Sequence, residues 1–265
     1  MHLITHIFNE EFLLPCWLKH HVPLFDHGTV IDYASTDNSL DIVRELAPDC
    51  DIVPSRNKWF VEPDIGEEVM EIERSVKGWK ITLNITEFLL HADIRGYCKG
   101  LEAQGKEAIC TTGVIMVDRP SERSEFTDEL LVMQKTFGYF EEDVREREST
   151  TSIDKPSRSR LLHCRPDGKY TKGRHTNGIT DEQDENLFLC WFGWAPFDSV
   201  KERKKQIQHK CPDSQKSLPD WRKLYCIDDS DLEKMYEHEH ARSYDLLENE
   251  AYNRAYENFK AAYSS

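Results

Sequence analysis

The sequence predicts an α/β fold: a mixed, mainly parallel sheet with helices on both faces, followed by a helical extension at the C-terminus. Short apolar runs alternate with amphipathic stretches through the first half of the chain, as strands and their crossover helices do. Polar residues follow several of these runs directly. From about Ser199 onward the chain is polar, and its apolar residues take helical spacing.

The first half alternates strand and helix from its first residues. The helix after the second strand has N-cap candidates from Ser35 to Ser39 and is closed by Pro48. Gly78 ends the next helix. The predicted strands are 2–8, 29–32, 51–53, 79–83 and 108–117. The predicted helices between them are 14–25, 40–46 and 65–76.

The second half has a weaker pattern. Short apolar strands are predicted at 161–164 and 187–192, around a loop rich in glycine and charge. Near the C-terminus an apolar stripe recurs at intervals of three, four and three residues, in the order Tyr252, Ala255, Phe259 and Ala262. Such a face packs either on the body of the protein or on a second copy, which would make a homo-oligomer.

Length and charge bound the class of protein. A chain of 265 residues suits one large domain, or one domain with a helical appendage. The net charge of −15 argues against a nucleic-acid partner, because phosphate neutralisation needs a basic face. A local basic stretch, 155–174, remains open to two interpretations, a solvated loop or a phosphate site.

Cysteine usage and hydropathy predict a compartment. None of the eight cysteines has Cys-x-x-Cys spacing, which argues against a zinc ribbon. The N-terminus enters a strand without a secretion signal, and no run of 18 apolar residues is present, so no transmembrane segment is expected. We therefore expect a cytoplasmic protein with reduced thiols.

Polar residues cluster after three of the predicted strands. Asn9 and Glu10 follow the first, the segment 35–37 follows the second, and the segment 84–87 follows the strand at 79–83. The carboxyl ends of parallel strands meet at one edge, where open α/β sheets bind their ligands. The sequence therefore predicts a nucleotide-type pocket in the N-terminal half.

The order of these motifs resembles the family 2 glycosyltransferases, and more closely the family 92-like branch. The motifs are Thr5-His6-Ile7-Phe8-Asn9-Glu10, then Asp32-Tyr33-Ala34-Ser35-Thr36-Asp37, then Trp79 with Asn84-Ile85-Thr86-Glu87-Phe88. The resemblance covers residues 1–120 well and 155–200 loosely. It implies a GT-A-type domain over 1–200, divided into a nucleotide-sugar half (1–120) and an acceptor half (121–200), with the helical extension at 201–265.

The resemblance also implies a donor site. Thr5, Asn9 and Asp32 would lie against the nucleotide. Tyr33 stands where family 2 has an aspartate that contacts the base, and its ring could stack on a base instead. Arg74 resembles an arginine that meets the donor phosphates, although a pair with Glu71 on a solvated helix explains it equally well.

The metal motif of the family is degenerate here. Its D-x-D-E-F pattern supplies carboxylates to Mn²⁺ or Mg²⁺ on the donor phosphates, whereas this chain has Asn84 and Thr86 in place of the aspartates. Glu87 and a distant His175 would hold a weakly bound metal. Basic residues, with Arg174 among them, could replace the metal, or the site could be inactive.

The general base is drawn from two acidic segments. Asp143, in Glu142-Asp143, resembles the family 2 E-D step, and Asp184 is the rival. Together these residues predict an inverting transfer from a UDP, GDP or dTDP sugar to a saccharide or glycoconjugate acceptor. The alternatives are a catalytically inactive GT-A-like module that binds nucleotide or glycan, a sugar-phosphate nucleotidyltransferase, and an interaction protein that uses residues 200–265.

Overall fold

The computed structural model describes residues 1–61, 63–123, 127, 129–141, 158–212 and 228–263. Within these ranges ten strands form one sheet, and helices cover both of its faces. The strands are β1 (His2–Ile7), β2 (His27–Asp32), β3 (Cys50–Pro54), β4 (Lys80–Thr82), β5 (Glu87–Leu90), β6 (Ala108–Val117), β7 (Phe137–Phe140), β8 (Leu161–His163), β9 (Gln183–Trp194) and β10 (Tyr244–Asp245). The helices are α1 (Leu14–His21), α2 (Ser39–Leu46), α3 (Asp64–Ser75), α4 (Ile94–Ala103), α5 (Leu131–Gln134), α6 (Phe197–Ile207), α7 (Asp229–Arg242) and α8 (Glu250–Tyr263).

The sheet is parallel where the sequence shows strand–helix alternation. Strands β3, β2, β1 and β4 lie side by side and pair in parallel. Strand β8 joins β4 to β6 and is antiparallel to both. Strand β9 is parallel to β6 and antiparallel to β5. The predicted mixed α/β sheet with helices on both faces is therefore confirmed.

Both faces of the central strands are buried, as expected of parallel strands under helices. Along β1, Leu3 and Ile7 join the main core, which also contains Trp17 of α1 and Val43 of α2. The alternate residue Ile4 belongs to a second cluster under α3. This two-faced burial fixes the register of β1 and so fixes where its carboxyl end lies.

The C-terminal helices are integral to these cores. Helices α6 and α7 pack with the ends of β6 and β9 through residues such as Val117, Trp194 and Phe197. Tyr252 and Phe259 of α8 are buried in the main core and Ala255 packs against it, so the predicted apolar stripe packs within the molecule except at Ala262, which is exposed. None of the helices in the described ranges is both long and apolar enough to cross a membrane.

Candidate functional site

Asn9 and Asp32 shape the edge of the sheet at the ends of β1 and β2. Asn9 takes a left-handed conformation (φ 52°), which asparagine tolerates better than most residues. Its Oδ1 accepts from the backbone N–H of Thr36 at 2.8 Å. Oδ1 of Asp32 accepts from the backbone N–H of Ser35 at 3.0 Å. These two predicted donor-site residues therefore hold the turn at the carboxyl ends of β1 and β2.

A buried ion pair occupies the centre of the site. Nε and Nη2 of Arg160 donate to the two oxygens of Glu87 at 2.8 and 2.7 Å. The backbone N–H and side-chain amide of Asn84 donate to the same carboxylate at 2.7 and 3.1 Å. The two charged side chains are 1% and 0% exposed. Both carboxylate oxygens are thus committed to partners within the protein.

The loop between β8 and β9 carries Arg174 to the same place. Nη2 of Arg174 donates to Oδ1 of Asn84 at 2.8 Å and lies 3.3 Å from Nδ1 of His6. Nη1 of Arg160 donates to the carbonyl of Gly173 at 2.8 Å and so holds the loop. Gly173 has a φ of 79°, a conformation that glycine adopts without strain.

Three more cations complete a cluster. Arg203 of α6 donates to the carboxylate of Glu10 at 2.6 Å. The guanidinium of Arg158 lies 3.7 Å from the ring centroid of Trp191, and Nζ of Lys204 lies 4.3 Å from that of Trp194. We call Arg158, Arg160, Arg174, Arg203 and Lys204 the cation cluster.

The cation cluster changes the acidity of its neighbours. Burial lowers the pKa of His6 well below its usual value, and the charges of Arg174, Arg160 and Arg203 lower it further. The same combination of burial with Arg160 and Arg158 lowers the pKa of His175. Both imidazoles are therefore neutral at physiological pH, and the surrounding potential is positive.

The residues predicted to hold a metal do not fit a divalent cation. Glu87 offers no uncommitted oxygen, and His175, whose Nδ1 contacts the carbonyl of Ser159 at 3.3 Å, could offer Nε2 alone. Within the described residues no group of three or more His, Cys, Asp and Glu side chains could hold a metal. A divalent cation prefers several anionic oxygens, whereas this site surrounds one paired carboxylate with arginines.

Three of the other predicted donor-site residues have partners within the protein, and the fourth, Thr5, is buried with no hydrogen-bond partner for its hydroxyl among the described residues. Thr5 is buried beside Trp17, on the α1 face of the sheet, and Thr86 accepts from the backbone N–H of Phe192 at 2.7 Å through its carbonyl. The Tyr33 hydroxyl donates to Glu68 at 2.9 Å, and its ring packs 4.5 Å from that of Phe60. Arg74 pairs with Asp167 at 2.7 Å, with half of its side chain exposed.

The two candidate bases have different outcomes. Asp143 lies outside the described residues. Asp184 pairs with Thr111 across β6 and β9, whereas Trp191 pairs with Ile115, a separation along β6 of about 13 Å at the ordinary rise of a strand. Oδ2 of Asp184 accepts from the Tyr97 hydroxyl of α4 at 2.6 Å. Asp184 is therefore away from the cation cluster.

The sequence predicted part of the cation cluster. Arg174 was a candidate, and the basic stretch 155–174 contains Arg158 and Arg160 without distinguishing them from their neighbours. Arg203 and Lys204 were missed because they lie in a charged helix, 199–207, that resembles a solvated surface. One sequence feature points to Arg203 and Lys204. Trp191 and Trp194 precede them by about ten residues, in a chain otherwise rich in acidic residues.

No protein-family model matches the chain, and no curated protein matches it. Glucosyl-3-phosphoglycerate synthase from Mycobacterium tuberculosis, solved with phosphoglyceric acid, matches 61% of this chain and 56% of that chain at 15% identity and a TM-score of 0.34. The same synthase with Mn²⁺ and uridine-diphosphate-glucose matches 61% and 55% at 14% identity and a TM-score of 0.35. Residues 1–349 of S. aureus TarS match 100% of this chain and 90% of that chain at 10% identity and a TM-score of 0.43. The matches to the synthase span little more than half of its length, and we draw no function from likeness at these TM-scores.

Proposed function

We propose that this chain is a GT-A-type glycosyltransferase that transfers a sugar from a nucleoside-diphosphate sugar to a saccharide or glycoconjugate acceptor. The observation that carries the proposal is the cation cluster at the carboxyl edge of a parallel sheet, where such folds bind ligands. Five cations surround two carboxylates, Glu10 and Glu87, in a protein whose net charge is −15. This local excess of positive charge supports an anionic ligand.

A donor diphosphate suits this environment. Guanidinium groups present planar donors that match phosphate oxygens, and they keep their charge at any physiological pH. Arg174 lies beside Asn84 and His6, at the ends of β4 and β1. We therefore assign Arg174 to the donor phosphates, with the Glu87–Arg160 pair holding its loop through Gly173 and with Asn9 and Asp32 shaping the adjoining turn.

Transfer requires two events at the anomeric carbon. An acceptor hydroxyl attacks as the bond to the diphosphate breaks, and the negative charge on the leaving phosphate is neutralised by Arg174. A carboxylate takes the hydroxyl proton as the new bond forms. Asp143 is the proposed base, and attack opposite the leaving group would invert the anomeric configuration.

Charge neutralisation by the cation cluster takes the role that a divalent metal has in the resembled family. Glu87, the remaining acid of the motif, is committed to Arg160. Donor binding is therefore expected to be independent of added Mn²⁺ or Mg²⁺. This distinguishes the proposal from the weak-metal alternative that the sequence left open.

The test is a thermal-shift panel of UDP, GDP and dTDP, each with Mn²⁺ or with EDTA. A ligand at about 100 times its Kd stabilises the native state by about 2.7 kcal/mol. We expect one nucleotide to raise the Tm equally in both conditions and Arg174→Gln to remove the shift. Arg165→Gln is the matched control, since Arg165 pairs with Glu107 at the surface. Failure of every nucleotide would overturn the proposal, and a shift that needs Mn²⁺ would overturn the metal-free donor site.

Turnover separates the proposal from an inactive binding module. The nucleotide identified above is supplied as its glucose, galactose and N-acetylglucosamine conjugates with a mixed saccharide acceptor pool, and release of the free nucleoside diphosphate is measured. Release that depends on both Arg174 and acceptor supports the transferase. Tight binding without release would favour the inactive module.

A further inference from the structure

Two members of the cation cluster, Arg158 and Lys204, lie at the Trp191 ring. Trp191 of β9 is the cross-strand partner of Glu87 of β5. Side chains of directly paired residues lie on the same face of the sheet, about 5 Å apart at their Cβ atoms. The Trp191 side chain therefore lies beside Glu87, on the face of the sheet that carries the Glu87–Arg160 pair.

The Trp191 ring is held in a defined position. A Cβ atom at Gly193 would come within 2.1 Å of this ring, so the absence of a side chain at position 193 gives the ring its place. The Arg158 guanidinium covers the ring at 3.7 Å. Nζ of Lys204 lies 5.8 Å from the same ring. Arg158 and Lys204 thus place two cations at the Trp191 ring.

Among the described residues, the charges of Arg158 and Lys204 have no balancing carboxylate. No ion pair or hydrogen bond within those residues joins either side chain to a carboxylate, and Glu141 accepts from the backbone N–H of Arg158. Lys204 is 8% exposed. A buried ammonium without a counter-charge is costly, and a bound anion would remove that cost.

The acidity of Lys204 agrees with this geometry. Burial lowers the pKa of Lys204 to about 7, and the charges of Arg158 and Arg203 add to the effect, while Glu239 opposes it. The charges of Arg158, Arg203 and protonated Lys204 attract an anion, whereas the charge of Glu239 repels it.

We propose that Arg158, Lys204 and Trp191 form a second anion subsite that receives a phosphate or carboxylate group of the acceptor. The inference rests on the proposed transferase function, because it places the acceptor beside the donor diphosphate. The donor phosphates are assigned to Arg174, so Arg158 and Lys204 are available to a second anion. The Trp191 and Trp194 rings supply the apolar surface on which a sugar ring packs.

The binding test uses inorganic phosphate and glucose 6-phosphate, with glucose as the neutral control, titrated by calorimetry into the full chain saturated with its nucleotide. We expect Lys204→Gln and Arg158→Gln each to weaken phosphate binding about tenfold, as loss of a charged hydrogen bond does. Nucleotide affinity should stay within about twofold. Lys205→Gln, which changes an exposed lysine of the same helix paired with Glu202 and Asp229, is the matched control.

Two results would overturn the subsite. One is phosphate binding that is unchanged in Lys204→Gln and Arg158→Gln. The other is phosphate that competes with the nucleotide, since it would then occupy Arg174. Titration of phosphate into the nucleotide-free protein reads the subsite even if no nucleotide binds, so failure of the transferase proposal and failure of the subsite remain distinguishable.

A pH series tests the part played by Lys204, with sulfate as a probe of constant charge. As the pH rises from about 6 to about 8, Lys204 loses its proton and sulfate binding should weaken. Lys204→Arg keeps its charge over this range and should give a flat profile. A wild-type profile as flat as that of Lys204→Arg would contradict the assignment.

A turnover assay distinguishes an anion on the acceptor from an anion on the donor sugar. With a neutral donor sugar, glucose 6-phosphate should exceed glucose as acceptor about tenfold in kcat/KM, and Lys204→Gln should abolish that preference. Preference for a uronic-acid donor with neutral acceptors would overturn the assignment to the acceptor.

Discussion

Glu87 and Arg160 bury opposite charges against each other at the centre of the site. A carboxylate removed from water needs a counter-charge and hydrogen bonds, and Glu87 obtains them from the Arg160 guanidinium and from Asn84. Such a pair contributes little net stability, but loss of one member leaves the other charged and buried. The pair is therefore sensitive to substitution in a way that a surface pair is not.

Glu87→Gln should destabilise the protein by about 3 kcal/mol or more, because Arg160 then keeps a buried charge without a partner. The measurement is chemical denaturation followed by circular dichroism. Glu107→Gln breaks the exposed pair with Arg165 and should change stability by less than about 1 kcal/mol. Equal effects of the two substitutions would show that Glu87 is not held as described.

Helix α3 positions the loop that carries Arg174. Glu73 at its C-terminal end is fully buried and accepts from the Tyr170 hydroxyl at 2.7 Å and from the backbone N–H of Gly168 at 2.8 Å. Arg74 adds an exposed pair with Asp167. The buried contacts to Glu73 hold the loop, since an exposed ion pair contributes little.

Tyr170→Phe should cost about 1 to 3 kcal/mol, because Glu73 loses a buried hydrogen bond, and should weaken nucleotide binding by loosening the Arg174 loop. Arg74→Gln is the control and should alter stability by less than about 1 kcal/mol, with nucleotide affinity unchanged. Calorimetry and denaturation measure the two effects. Loss of nucleotide binding in Arg74→Gln would return Arg74 to the donor phosphates, as its sequence position suggests.

The elements that could be predicted are those with a periodic pattern of their own. Strands β1 to β4 and helices α1 to α3 follow from alternation and caps. Strand β5 could not be predicted because Glu87–Leu90 follows β4 after a tight turn, in which the N–H of Glu87 donates to the carbonyl of Asn84. Strands β7 and β10 are short segments paired with each other across 100 residues, which no local pattern reveals.

The position of the site could be predicted from the sequence better than the contacts of its charged side chains. Asn9, Asp32 and Asn84 lie at the predicted edge because strand ends can be located from the sequence. The partner of Glu87 could not be found this way, since Arg160 is distant in sequence and resembles the other basic residues of its loop. Long-range pairing of charges is decided by the tertiary fold.

At the scale of the whole molecule, helix α8 completes the main core. Phe259 of α8 stacks on His20 of α1 with ring centroids 5.0 Å apart. Tyr252 packs 5.4 Å from Phe188 of β9. The Tyr256 hydroxyl donates to the carbonyl of Met133 at 3.3 Å. Helix α8 thus contacts elements from both halves of the chain.

A chain that ends at Asn249 should not give a cooperative thermal transition. Removal of each buried aromatic costs about 3 to 5 kcal/mol, and three such losses reach the total stability of a typical domain, about 5 to 15 kcal/mol. Differential scanning calorimetry measures the transition. Tyr263→Ser, at a residue 51% exposed, should change stability by no more than about 0.5 kcal/mol. A cooperative melt of the shortened chain would show that α8 is an appendage.

The position of α8 also sets an order of events during synthesis. The strands β1 and β2 are translated well before α8, and the surface beside His20 stays uncovered until Phe259 has been translated. Between these two events the nascent chain exposes apolar surface, a state that favours association with other chains and with chaperones. Slower translation of the segment between β2 and α8 would lengthen that exposure, so the yield of this protein should depend on the rate at which that segment is made.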